Sequence, residues 1–228
     1  MTAVRRTGVV ALLGHPVSHS LSPRMQNAAF AARGLDWTYV ALDVEPGRLD
    51  EAVRGLDALG FAGANVTTPH KQAVARIVGS DLPSVNTLVA GGAAYSTDGA
   101  ILELVTNRHK PVILGDGGAA AAFRHALPHA RVYSRRTMWP PDVSGADLVI
   151  NATPVRDEVL VELRAGQTLI DLPYPRTATA AAAAAAGATV FDGLDVLVAQ
   201  GAKSFELWTG IPAPAAVMRR ALGLPNAD

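Results

Sequence analysis

The stretch Asn65-Val66-Thr67-Thr68-Pro69-His70-Lys71 gathers an amide, two hydroxyls and an amine where a helix is about to begin. Thr68 is a good N-cap, since its hydroxyl can accept a first-turn N–H, and Pro69 suits the first helical position, where a missing N–H costs nothing. Ala73, Val74, Ile77 and Val78 follow at helical spacing, and Gly79 is a natural stop. Lys71 then sits in the first turn, at the positive end of the helix dipole, an unfavourable place for a cation. An amine held there suits proton exchange with a bound reactant. Taken alone, a solvated surface lysine is the simpler account, so the case for chemistry rests on the neighbouring groups.

A second cluster precedes it. Gly14-His15-Pro16-Val17-Ser18-His19-Ser20-Leu21-Ser22-Pro23 is rich in hydroxyls and ends in another helix start, with Ser22 as N-cap and Pro23 at the first helical position. Met25, Ala28, Ala29 and Ala32 form the stripe and Gly34 ends it. Hydroxyls gathered at a helix N-terminus can hold an anion without an arginine, although the same serines would also serve as plain caps. Asp98 follows a hairpin (residues 85–89 and 94–99 around Gly91-Gly92), where a carboxylate ordinarily caps the next segment, 101–105.

The third cluster is Gly115-Asp116-Gly117-Gly118-Ala119-Ala120, after the apolar run 111–114 and before an Ala-rich helix. Strand, glycine turn and helix give the G-x-G-x-x-A dinucleotide fingerprint, in which backbone N–H groups face a pyrophosphate. Asp116 is uncomfortable there, because its carboxylate repels a phosphate; it must point away or cap the helix. About 20 residues past the first glycine, where an acid would read the ribose of NAD, the chain has Ser134-Arg135-Arg136-Thr137. Two guanidiniums there suit a 2′-phosphate and favour NADP, the alternative being a solvated basic turn.

The elements that position these groups follow from hydropathy. Strands at 8–13, 37–44 and 62–66, separated by helices at 23–32 and 46–59, form a β-α-β-α-β series and imply a parallel sheet. Ser20, Ser22, Asn65, Thr67 and Lys71 then lie at the carboxyl ends of parallel strands, the usual ligand crevice. Strands at 111–114, 130–133, 147–151, 169–172 and 189–191, with a helix at 178–186, make a Rossmann-type second half. Helices over 196–208 and 214–222 are periodic enough to pack back on the first half. The fold class is therefore α/β.

With 228 residues, the chain is one large domain or two small ones, and 49% apolar residues suffice for a core. Lys plus Arg equals Asp plus Glu at 20 each, which gives no basic footprint for nucleic acid. Without cysteine there are no disulfides and no thiolate metal site, and the six histidines form no ligand pair, so no metal is expected. No apolar run approaches the ~20 residues of a membrane span, and Arg5 and Arg6 precede only a short strand, so a cytoplasmic protein without a membrane partner is expected.

In order along the chain, Gly14-x-Pro16-x-x-His19-Ser20-x-Ser22-Pro23, Asn65-Val66-Thr67-x-Pro69-x-Lys71, Val85-Asn86-Thr87, Thr97-Asp98-Gly99, Gly115-x-Gly117-Gly118-Ala119, Asn151-Ala152-Thr153-Pro154, Asp171-x-x-Tyr174 and Gln200-x-x-x-x-Phe205-Glu206-Leu207-Trp208-Thr209-Gly210 resemble the shikimate dehydrogenase family. The match spans nearly the whole chain, and Asn-Val-Thr-x-Pro-x-Lys is its most specific part. The resemblance implies two domains: residues 1–98, completed by 195–228, bind substrate and carry catalysis, and 99–194 form a Rossmann-type dinucleotide-binding domain. It implies that Lys71 and Asp98 are the catalytic dyad, that Ser20 and Ser22 hold the substrate carboxylate, and that Asn65, Thr67, Asn86 and Gln200 hold hydroxyls or order the dyad, with Tyr174 nearby. Gly115, Gly117, Gly118, Ala119, Ser134, Arg135, Arg136 and Thr153 would bind NADP(H), with Leu172 and Gly193 flanking the nicotinamide. The implied reaction interconverts 3-dehydroshikimate and shikimate by hydride transfer, in a monomer or homodimer. Quinate or an aminoshikimate is an alternative substrate, and a non-catalytic nucleotide or metabolite sensor is the alternative from another class. The chain departs from the family pattern at Gln26 (usually histidine), Ser96 (usually asparagine), Asp116 (usually small) and Asp195-Val196 (often Gly-Met), and it is short between Lys71 and Asn86 and between Asp98 and Pro111.

Overall fold

The computed structural model describes residues 7–225, which fall into two compact units divided between Thr97 and Asp98 and again between Leu197 and Val198. Each unit is built on a five-stranded sheet.

The first sheet contains β1 (Gly8–Gly14), β2 (Trp37–Asp43), β3 (Gly63–Val66), β4 (Thr87–Val89) and β5 (Ala93–Tyr95) in the order β2-β1-β3-β4-β5. The three expected strands are parallel, as the β-α-β series requires. The hairpin around Gly91-Gly92 extends the same sheet with two antiparallel strands, so the sheet is mixed. β1 and β3 are the central parallel strands, covered on both faces, which explains why they read as continuous apolar runs. Helices α1 (Ser22–Ala32), α2 (Leu49–Ala58) and α3 (Lys71–Ile77) connect them. Leu49 and Leu56 of α2 and Val74 and Ala75 of α3 share one core with Leu13, Val66 and Leu88.

Two helix starts differ from the expectation. α3 begins at Lys71 with His70 as its cap, and Thr68 does not cap it. The reason lies in the backbone: the Thr67 N–H is bound to Leu13 O at 2.9 Å and Thr68 O accepts from His15 N at 3.1 Å. These residues are still coupled to the β1 strand and its loop, so the helix cannot start before the turn closed by His70 N and Thr67 O. Pro69, after a cis peptide, lies outside the helix. In α1, Leu21 is the cap and Ser22 already helical; the hydroxyl that receives an N-terminal N–H is that of Ser20, from Ser22 N at 3.2 Å. The helix expected over 46–59 divides into a 3₁₀ turn, Pro46–Arg48, and α2. Gly34 and Gly79 end their helices with positive φ, as expected.

The chain returns to this unit through the later part of α6 (Gly193–Thr209), followed by α7 (Ala215–Ala221). Phe205 stacks on Phe30 with centroids 5.4 Å apart. The Trp208 indole N–H donates to Leu88 O at 2.9 Å. Gly63 makes this crossing possible, since a Cβ there would lie 2.4 Å from Leu88 O and 2.5 Å from the Trp208 ring. Met218 of α7 is fully buried, and α7 packs against α1.

The second sheet is wholly parallel, with β6 (Pro111–Leu114), β7 (Arg131–Tyr133), β8 (Leu148–Asn151), β9 (Thr168–Asp171) and β10 (Thr189–Phe191) in the order β10-β9-β8-β6-β7. After β7 the chain crosses to the other side of β6, so the carboxyl end of β6 is the topological switch point of a Rossmann-type sheet. Helices α4 (Gly118–Ala126) and α5 (Ala178–Ala185) follow the pattern read from sequence. The segment that opens with Asp98 is a 3₁₀ run, Asp98–Leu104, with Asp98 as its first residue rather than a cap outside it.

Asp171, at the end of β9, is fully buried. Its carboxylate accepts from Asn151 Nδ2 and Thr177 Oγ1, each at 2.7 Å, and Thr177 in turn caps α5 by accepting from Ala180 N. Burial raises the carboxyl group above its ordinary value of 3.8; the two hydrogen bonds oppose this, and the nearby Asp192 adds to it.

Two outcomes follow. Gly63→Ala should lower stability by about 1–3 kcal/mol through overpacking, whereas Gly47→Ala, where a Cβ meets nothing within 4 Å, should change it little; urea denaturation compares them. Because folding favours protonated Asp171, its contribution to stability is greatest below pH 3.8 and declines as pH rises through the raised folded value. The stability of the wild type relative to Asp171→Asn should therefore fall over that pH range, and a constant difference would remove Asp171 from the pH profile.

Candidate active site

In the first unit, the two predicted clusters meet at the carboxyl ends of β1 and β3. Gly14 packs on Thr67 so closely that a Cβ would lie 2.5 Å from Thr67 Cγ2. The Ser20–Ser22 loop therefore starts against the strand end that carries Asn65 and Thr67. The Ser20 oxygen accepts from Ser22 N, a bond that does not use its O–H. Ser22 is buried at the start of α1.

Beneath these loops lies a buried lattice of amides and hydroxyls. The Asn65 Oδ1 accepts from the Tyr39 hydroxyl at 2.9 Å. Its Nδ2 lies within hydrogen-bonding distance of Asn86 O, Thr87 Oγ1 and Ser204 Oγ, at 3.0, 3.1 and 3.0 Å. Thr87, Thr97 and Ser204 bring their hydroxyls within 2.9–3.3 Å of one another. Asn86 Oδ1 accepts from Thr97 N at 2.7 Å, and its Nδ2 donates to Thr97 Oγ1 at 3.0 Å and faces Gln200 Oε1 at 3.5 Å. Ser204 donates to Gln200 O one helical turn earlier. Asn65, Asn86 and Gln200 are thus brought together.

Four participants carried no role in the sequence reading: Tyr39, Thr87, Thr97 and Ser204. Thr87 and Thr97 stand inside motifs already singled out, and Ser204, four residues after Gln200, shares its helix face. Tyr39 offered no signal beyond its place in a strand.

Lys71 is the first residue of α3 and partly buried. Its carbonyl accepts from Val85 N at 3.0 Å, which fastens the helix start to the residue preceding Asn86. Asp98 is buried and belongs to the second unit, and it follows directly on Thr97, whose N–H is held by Asn86.

In the second unit, Gly115 has φ +118° and lies so close to the turn after β8 that a Cβ would fall 2.9 Å from Ala152 O. Gly117 caps α4 in extended conformation, with open space where a Cβ would be. Gly118 and Ala119 open the helix. Asp116 does not cap α4; its carboxylate turns to Arg136, with Oδ2 3.6 Å from Nη1. Arg135 is hydrogen-bonded to Glu158 and lies over the Trp139 ring, 5.7 Å from its centroid. The Ser134 hydroxyl is buried and paired with Thr137 at 3.0 Å, so it shapes the turn that displays the arginines. Thr153 donates through N and Oγ1 to Asn151 Oδ1, extending the chain of bonds that begins at Asp171. Leu172 and Gly193 are brought together, since a Cβ on Gly193 would lie 2.4 Å from Pro173 O and 2.6 Å from Leu172 O. Tyr174, partly buried, follows that backbone. Among the described residues there is no group of three or more His, Asp or Glu able to hold a metal ion, and no helix is long and apolar enough to cross a membrane.

Residues 12–87 match the family model of the shikimate dehydrogenase substrate binding domain, and residues 193–222 that of the shikimate 5′-dehydrogenase C-terminal domain. A shikimate dehydrogenase (NADP(+)) of Moorella thermoacetica is 41% identical over 273 aligned positions, covering 95% of this chain and 92% of that protein. One from Methanopyrus kandleri is 38% identical with 95% of each covered. The crystal structure of shikimate dehydrogenase from Aquifex aeolicus is similar with a TM-score of 0.84 at 27% identity, covering 95% of this chain and 97% of that one. The Thermus thermophilus enzyme in complex with NADP(H) and shikimate gives 0.79 at 29% identity, covering 94% and 98%. The alignment with the Moorella protein is longer than the 228 residues of this chain, in keeping with the shortened segments read from the sequence. By identity and by coverage alike, the chain belongs to the shikimate dehydrogenase family.

Proposed function

We infer that this chain is an NADP-dependent oxidoreductase that interconverts shikimate and 3-dehydroshikimate. The leading support is the buried amide–hydroxyl lattice, which fixes Asn65, Asn86 and Gln200 as one piece and fastens the start of the Lys71 helix to it. Such a lattice fits a polyhydroxylated ring acid, whose hydroxyls need donors and acceptors already held in place. Ser20 and Ser22 receive the substrate carboxylate, Ser20 through the O–H that its bond from Ser22 N leaves available. Thr67, at the end of β3 beside Gly14, and Gln200 take substrate hydroxyls. Asn65 is wholly engaged by Tyr39, Asn86, Thr87 and Ser204, so its part is to order the site.

The second unit fits a dinucleotide with a 2′-phosphate: Gly115 lets the turn after β6 pack on the Ala152 backbone, Gly117 leaves open space at the N-terminus of α4, and two guanidiniums stand past the end of the neighbouring strand. Gly115, Gly117, Gly118 and Ala119 would hold the pyrophosphate and Arg135 and Arg136 the 2′-phosphate, with Ser134 acting through the turn. Thr153 would contact the dinucleotide and Leu172 and Gly193 would border the nicotinamide, with Tyr174 nearby. When bound, the nicotinamide supplies the hydride acceptor or donor.

The chain's own chemistry is proton transfer. As hydride leaves the carbinol carbon, the hydroxyl proton passes to Lys71 Nζ; in the reverse direction the ammonium returns it and steadies the developing alkoxide. Asp98 supplies the compensating charge and orients the amine.

Removing a general acid–base group of this kind typically costs about 10²- to 10⁴-fold. Lys71→Ala should reduce NADP reduction by shikimate to that extent while leaving the circular dichroism spectrum and NADPH binding unchanged. Near-wild-type turnover would exclude Lys71 from the role. The same absorbance assay with NAD and with quinate separates the neighbouring activities: turnover on quinate alone would reassign the substrate, and tight NADPH binding with no turnover on any ring acid would make the protein a sensor.

A further inference from the structure

The turn after β6 and the turn after β7 face each other because the strands are paired in parallel register, with Leu114 opposite Tyr133 and Gly115 N bound to Tyr133 O at 2.8 Å. Asp116 lies two residues beyond Leu114, and Arg136 three beyond Tyr133. Their side chains meet across this gap at 3.6 Å. Arg135 is likewise matched, by Glu158. The arginine turn is therefore a set of two cations and two anions, whereas a bare pair of arginines would form a strong positive patch.

We propose that Asp116 sets how strongly this chain discriminates NADP from NAD, by competing with the cofactor's 2′-phosphate for Arg136. The inference rests on the NADP reading above and concerns a residue to which that reading gives no part. Arg136 is 85% exposed and Asp116 44%, so their pair is screened and weak, and a dianionic phosphate can take the guanidinium from it. The exchange still has a cost. The ion pair is lost, and the carboxylate remains near the incoming phosphate. Both penalties fall on the 2′-phosphate and spare NAD, which has a hydroxyl there. Arg135 differs in kind, because its guanidinium is also seated over Trp139 and keeps that contact whichever anion it binds.

A plainer account is that Asp116 simply repels the pyrophosphate, which would weaken NADP and NAD equally. Titrations of NADPH and NADH, followed by nicotinamide fluorescence, and of 2′,5′-ADP against 5′-ADP by calorimetry, distinguish the two. In Asp116→Asn, NADPH and 2′,5′-ADP should bind about 3- to 10-fold more tightly, and NADH and 5′-ADP less than about twofold more tightly. Arg136→Gln should lose most of the preference for the 2′-phosphate, and adding Asp116→Asn to it should gain clearly less than in the wild type, since only the repulsion is left to relieve. Equal gains for NADPH and NADH, no gain for NADPH, or the same gain in the Arg136→Gln background would each overturn the proposal while leaving the NADP reading intact. Failure of the wild-type protein to bind NADPH or 2′,5′-ADP would overturn both.

Discussion

The first unit depends on the buried amide of Asn65. It ties β3 to the Tyr39 hydroxyl of β2, to the backbone and Thr87 hydroxyl at the start of β4, and to Ser204 on α6. A buried hydrogen bond contributes only about 1 kcal/mol net, but leaving one such group without its partner costs about 1–3 kcal/mol. A lattice of this kind is therefore all or nothing: with every member present it rigidifies the site, and with one missing it penalises the fold. This is why residues from 198 onward belong to a unit whose sheet was finished by residue 95. The hydroxyls of Thr87 and Thr97 and the amide of Asn65 need Ser204, and the sheet has room for Trp208 because Gly63 has no side chain.

The second unit is governed by a different constraint. Its central parallel strands β6, β8 and β9 are almost wholly buried, so polar chemistry is confined to strand ends. At the end of β6, Gly115 brings the backbone to the turn after β8. At the ends of β8 and β9, Asn151 and Asp171 form a buried polar chain that holds Thr153 on one side and caps α5 through Thr177 on the other. A carboxylate buried in this way is tolerated because two donors face it, and its raised pKa records the remaining cost. The charged groups sit apart from this chain, on the exposed turn after β7, where each arginine has an acidic neighbour.

Family membership and local charge therefore address different questions. Relatives that share about two-fifths of their residues with this chain show the family to which its architecture belongs. Asp116 is half-exposed on a turn, and nothing in the core requires it. Its consequences are electrostatic and local, which is how cofactor preference can vary on an unchanged fold.

Much of this was legible in the sequence. Apolar runs mark the buried strands, glycines at 34 and 79 mark helix ends, and the glycine turn between a strand and a helix marks the dinucleotide fingerprint. These are local properties, set by steric freedom and periodicity, and they carry the α/β class, the Rossmann-type half and the positions of Ser20, Lys71 and Arg136. The helix starts depart from the local signal because capping is decided by which backbone groups remain unbonded. Thr67 and Thr68 were already bound to Leu13 and His15, partners more than fifty residues earlier in the chain. For the same reason nothing local marks Tyr39 and Ser204, the partners of Asn65, which lie 26 and 139 residues from it. Residue types and local spacing are written in the chain, but the partner of a buried polar group is decided only when the strands and the returning helix are packed, because only then is water excluded and a partner required.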